Sequence, residues 1–170
     1  NRSIGLSLCN DSQTSPRSST STSVGFDNLT TAALSPTALK SAYIQFRKLR
    51  DDAGQPIDGH EAQKLVVPVD LKDRAEEIVR TVKGIDSAEH TKNVLEDRYQ
   101  VVDWIRLTST TNWFLMNSDM CKENCCWFDK VPVEFAKEEA FDEIIAKFRS
   151  YMVYHILVND WRFILGANVS

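Results

Sequence analysis

With 170 residues and 42% hydrophobic content, the chain can bury one ordinary core but is short for two full domains. The net charge of −4, with basic and acidic residues interspersed as in Arg47-Lys48-Leu49-Arg50-Asp51-Asp52, argues against the clustered basic face of a tight nucleic-acid reader. No apolar run approaches the roughly 18 residues of a membrane span, and Asn1 to Asn10 lacks the apolar h-region of a secretory leader, so a soluble chain is expected.

In chain order, 1–28 is dominated by Ser, Thr, Asn, Asp and Gly and reads as a flexible polar arm or linker. A chain that starts in such a segment suggests the back part of a longer polypeptide. Ser35-Pro36 opens a helix through Arg50, with Leu39, Ala42, Tyr43, Phe46 and Leu49 on one buried stripe. Asp51 to Gly59 is a turn-rich connection, and Lys64 to Val69 is a buried strand that Pro68 interrupts at its end.

Asp70 is placed to cap a second helix, Leu71 to about Lys83, with Ala75, Ile78, Val79 and Val82 inward and Gly84 at its end. A polar loop follows, then strands at Tyr99 to Ile105 and Asn112 to Met116, which are expected to form an antiparallel or mixed pair. Beyond a Cys-containing loop, Cys126 to Phe128 and Val133 to Phe135 read as short strands broken by Pro132. Ala146 to Val158 reads as a long strand and Trp161 to Leu165 as the last one.

Recognisable catalytic chemistry is missing from this pattern. There is no GxxxxGK[ST], GxGxxG or HExxH, and none of His60, His90 and His155 stands beside a nucleophile signature. His60 and His90 read as solvated loop residues, and His155 as a hydrogen-bonded strand residue. Cys9, Cys121, Cys125 and Cys126 fit neither a disulfide framework nor a common zinc spacing, so reduced thiols are the default. No cofactor or metal is expected. A thiol enzyme using Cys125 or Cys126 with His155 is a catalytic alternative the residues leave open. The carboxylates Glu134, Glu138, Glu139, Asp142 and Glu143 read as a solvated charged loop or a patch for a neighbouring subunit.

The segment Leu34 to Ile78 resembles a block of Mu-type and related tailed-phage major capsid proteins: a helix with a basic tail, a D-x-x-G-x-P-I turn at Asp51 to Ile57, and Val66-Val67-Pro68. Asn93-Val94-Leu95, the strand Tyr99 to Val102, Asn112-Trp113-Phe114-Leu115, the run from Val133 to Asp142, Ala146-Lys147-Phe148 and Asp160-Trp161-Arg162 are similar to later blocks of that family in the same order. The likeness covers about 28–168, and its collinear order gives it its specificity.

The resemblance implies an α+β subunit of the HK97-type capsid fold. Residues 29–132 would supply an axial-type domain, a sheet flanked by helices, and 133–170 the return strands of a peripheral domain. It implies a non-enzymatic structural subunit of an icosahedral phage capsid, assembling through repeated interfaces to enclose genomic DNA. Partners would be further copies of itself, with scaffold, portal or decoration proteins and non-specifically packaged DNA, in the virion and, during assembly, in the host cytoplasm. Asp160, Trp161, Arg162, Glu138 and Glu139 are the expected subunit-interface residues, Trp161 and Arg162 as anchors because aromatics and Arg are enriched at interface hot spots. A standalone head-associated or host binding module is the alternative. Family members carry an N-terminal arm, an extended loop and a spine helix ahead of the matching region, so the resemblance implies that this chain corresponds to the C-terminal portion of such a subunit.

Overall fold

The computed structural model describes residues 8–9, 27–82, 92–140 and 145–168. The flexible arm expected at 1–28 lies mostly outside them, as do Gly84, His90, Asp142 and Glu143.

Ser35 caps helix α1 (Pro36–Arg47): its hydroxyl accepts from the Ala38 amide at 3.1 Å, and Pro36 needs no amide donor at the first helical position. The helix buries Leu39, Ala42 and Phe46, and Leu49 is buried just past its end. The Asp51 carboxylate then accepts from the amides of Ala53 and Gln55, and Gly54, at φ 79°, completes a tight turn that a β-carbon would strain. Strand β2 (Lys64–Val67) stops at Pro68, as its missing amide requires.

A 3-10 turn over Val69–Leu71 leads into α2 (Lys72–Arg80) without a side-chain cap, so Asp70 does not cap this helix. Ala75, Ile78 and Val79 face the core as expected, but the helix ends before Val82, which is exposed. The buried Asn93 side chain stands in as terminator: its amide donates to the Ile78 and Thr81 carbonyls at 2.7 and 2.8 Å, satisfying groups that the helix end orphans.

The remaining elements are β1 (Leu29–Thr30), β3 (Gln100–Asp103), β4 (Trp113–Met116), α3 (Ser118–Asn124), β5 (Cys125–Ala140), β6 (Ile145–Val158) and β7 (Ile164–Ala167). Five strands form one mixed sheet in the order β1-β7-β4-β2-β3, with β1–β7 and β2–β3 parallel and the other pairs antiparallel. β3 and β4 do not pair with each other, contrary to the sequence reading: β2 lies between them. The reason is burial. Leu65, Val66 and Val67 are all buried and belong at the centre, whereas β3 has exposed Gln100 and Asp103 at its ends and takes the edge.

Leu65 pairs with Leu115, Leu115 with Leu165 and Trp113 with Ala167, so these side chains share one face of the sheet. They join the buried residues of α1 and α2, Leu95 and Tyr99 in a single core cluster. The opposite face carries Phe114 and Gly166, with Cys9 against them. Asn28 fastens that layer, its amide donating to the Leu8 and Ile164 carbonyls. A β-carbon on Gly166 would meet Cys9 Sγ at 2.7 Å and Phe114 Cε1 at 3.1 Å. Gly166→Ala is expected to cost about 1–3 kcal/mol by overpacking, and Cys9→Ala should recover part of that loss in a urea-unfolding midpoint.

His60 is a correction to the sequence reading, which placed it in solvent. It is 1% exposed, stacked on Phe46 with ring centroids 4.3 Å apart, and its Nδ1 lies 3.0 Å from Met120 Sδ. Burial lowers its pKa from 6.5 to about 4, with the Arg162 backbone and the Asp160 charge only partly opposing. The unfolded chain therefore takes up a proton that the folded chain refuses. The stabilisation is full above pH 6.5 and is lost as pH falls towards about 4, at up to about 1.4 kcal/mol per pH unit. Melting temperature measured between pH 7 and 5 should drop, and His60→Phe, which keeps the stack, should flatten the drop.

Candidate assembly surface

β5 and β6 leave the core together as an antiparallel two-stranded arm. Fourteen residues of β6 at about 3.3 Å each give a length of about 45 Å. Among the described elements its only substantial contact outside itself is with α3 at the root. The two short strands expected around Pro132 are thus one strand. Pro132 is tolerated because it falls in a stretch of irregular register between Val131 and Glu134, where a ladder amide is not required. Glu134, Glu138 and Glu139 accordingly lie on a strand and not in the acidic loop read from sequence.

The register sorts the arm into two unlike faces. Directly opposed residues share a face, so Trp127 with Ile156, Phe135 with Ser150 and Lys137 with Phe148 lie on the same side as the even-numbered residues of β6. That side carries Val158, Ile156, Tyr154, Met152 and Phe148 along its length, all exposed. Trp127 stacks on Tyr154 with centroids 4.4 Å apart and donates its indole N–H to Asp129. Phe135 and Phe148, 81% and 74% exposed, border a shallow hollow towards the tip. The other face begins apolar with Phe128, Val131 and Val153 and turns charged outward, pairing Glu138 with Lys147 and Ala136 with Arg149. His155 is an exposed β6 residue opposite Phe128 on this face.

The root of the arm is built from two connections to the core. On the entering side Asn117 caps α3 by accepting from the Asp119 and Met120 amides, making a helix where the sequence suggested a loop. On the leaving side the Asn159 amide donates to the Asn124 carbonyl at 2.9 Å, and Asp160-Trp161-Arg162 follows. The Arg162 side chain is 7% exposed. Its Nε donates to the Arg50 carbonyl at 2.6 Å, Nη1 to Asp160 at 2.9 Å and Nη2 to Asp52 at 2.7 Å, while its guanidinium lies over the Trp161 ring. Arg162 therefore fastens the end of α1 and the Asp51–Ile57 turn to the chain between the arm and β7. Trp161 packs half-buried against the core, Asp160 is partly covered, and Glu138 is exposed far along the arm. The five expected interface residues thus fall at opposite ends of the arm, three at the root and two, Glu138 and Glu139, towards the tip.

Burial first, and then the hydrogen bond shared with Cys121, push the Cys125 thiol up to about 11, opposite to the shift that activates a nucleophile. No cluster of three or more metal-ligating side chains occurs among the described residues, and none of their helices is long and apolar enough to cross a membrane.

A small mixed sheet thus carries a long, exposed, amphipathic arm. A model of the phage capsid protein family matches residues 5–167, and the chain belongs to that structural, non-enzymatic family of the virion. No curated protein matches the chain at a significant level.

Proposed function

We propose that the chain is a shell-forming subunit of the Mu-type, HK97-type class, a major head protein in which the arm carries one subunit onto a second copy of the same chain. The observation that supports this most directly is the apolar face of the arm. A lone two-stranded hairpin is marginal in water, and an exposed apolar row of this length marks a contact surface. Burying it against a neighbour stabilises both the arm and the assembly.

On this reading the helix-flanked sheet within 29–132, completed by β7, is the axial-type unit, and the arm provides the peripheral strands of 133–170. Glu138 and Glu139 meet a neighbour near the tip, while Asp160, Trp161 and Arg162 set the direction in which the arm leaves. Scaffold, portal and decoration proteins would be further partners, and packaged DNA would be met without sequence preference, with assembly in the host cytoplasm. Electron microscopy of the purified protein across a concentration series is the test: rings, capsomers or shells are expected, and a strict monomer at every concentration would point instead to a standalone binding module.

A further inference from the structure

Three of the four cysteines lie together at the root of the arm, on its entering side. Cys121 is in the last turn of α3, and Cys125 is the first residue of β5. Their sulfurs are 3.8 Å apart, and the Cys125 amide donates to the Cys121 carbonyl, which holds the two residues in register. Cys126 points elsewhere: its sulfur lies against the Glu123 carbonyl and the Asn159 side-chain amide, as expected for the next residue along a strand. All three are partly exposed and within reach of a small oxidant.

We propose that Cys121 and Cys125 form an oxidisable pair whose intrachain disulfide fixes the direction of the arm, with Cys126 left as a free thiol. The co-reactant is a small disulfide such as oxidised glutathione. The thiolate of one cysteine attacks a glutathione sulfur, breaking the S–S bond and releasing one glutathione thiolate. The second cysteine then attacks the protein-bound sulfur of that mixed disulfide and expels the other glutathione. Two electrons pass from the pair to the oxidant, and the two thiol protons end on the two released glutathiones.

The location gives the bond its effect. The arm joins the core through two strands only, and the leaving strand is already held by the Asn159–Asn124 hydrogen bond. A covalent link across the entering strand removes the remaining hinge. The raised pKa of Cys125 keeps the thiolate scarce near neutral pH, so the pair exchanges slowly with a disulfide oxidant.

The test is to equilibrate the full chain with glutathione buffers of stepped ratio, alkylate under denaturing conditions and digest with trypsin, which cuts after Lys122 between the two cysteines. Free thiols should fall from four to two, with the peptides on either side of Lys122 joined until reduction. Cys126→Ser should keep the link, and Cys121→Ser or Cys125→Ser should each abolish it. Hydrogen exchange should slow at the first residues of β5 by about tenfold on oxidation. Four free thiols at every ratio, a link that survives Cys125→Ser, a disulfide between two chains, or exchange unchanged by oxidation would each overturn the proposal.

Discussion

Replacing Phe135 and Phe148 together by Ser is expected to abolish assembly while leaving the fold of the core intact. Both rings lie on the apolar face of the arm, most of their surface is exposed, and neither belongs to the core cluster around Trp113 and Leu115. Fully burying a Phe side chain contributes about 1.5–3 kcal/mol, and the pair recurs at every equivalent contact of an assembly. A loss of roughly 3–5 kcal/mol per contact corresponds to at least about a hundredfold weaker association. Sedimentation velocity and electron microscopy of the double variant should show subunits only, with a thermal unfolding transition of the core within a degree or two of the parent. Shells that form as readily as those of the parent would remove the arm from the proposed mechanism. A core that melts much earlier would instead show that the arm face is packed within its own subunit.

Arg162→Met should produce the largest single-residue loss of stability outside the apolar core. The guanidinium makes three charge-assisted hydrogen bonds from a nearly buried position. Met preserves much of the side-chain volume and removes all three. Asp52, half exposed, regains water readily, and Asp160 does so in part. The Arg50 carbonyl loses its 2.6 Å donor at a partly buried site. The expected cost is about 3 kcal/mol, the range for stranding buried polar partners, seen as a lower urea midpoint at an unchanged slope. Arg162→Lys should recover little, because a single ammonium lacks the planar fork that reaches three acceptors at once. Asp52→Asn should be mild, at about 1 kcal/mol or less. Equal losses in Arg162→Met and Arg162→Ala would confirm that the guanidinium contacts, and not packing of the aliphatic stem, carry the effect.

The sequence reading of Arg162 shows where one-dimensional information stops. The residue type and its Trp neighbour suggested an interface anchor, yet its partners on the α1 side, Arg50 and Asp52, are over a hundred positions away in the chain. No local pattern announces that contact. His60 gives the same lesson: a histidine between Gly59 and Glu61 reads as solvated, and only the approach of Phe46 and Met120 buries it. The arm was partly legible. From Ala146 to Val158 the even positions are apolar except Ser150, while Lys147, Arg149 and His155 are odd. That alternation marks one apolar and one mixed face and, carried across to β5, outlines the exposed apolar face of the arm. The bulged stretch at Pro132 hid it there, because an irregular register breaks the period-two pattern.

What the sequence determined by itself was local and periodic. The Ser35-Pro36 start of α1, its buried stripe, the inward residues of α2, the buried strand ending at Pro68 and the long strand of β6 each follow from signals spanning a few residues, where capping chemistry and side-chain period act. The collinear order of motifs also pointed to the phage capsid family that the match over 5–167 establishes. Only the tertiary structure decided which strands are neighbours, that β7 returns beside β4, that the arm stands off the core, that Arg162 is clamped inside the subunit, and that Cys121 faces Cys125. Strand partners are chosen by which side chains share a buried face once the chain has closed on itself. That choice depends on residues distant in sequence, which no local pattern records.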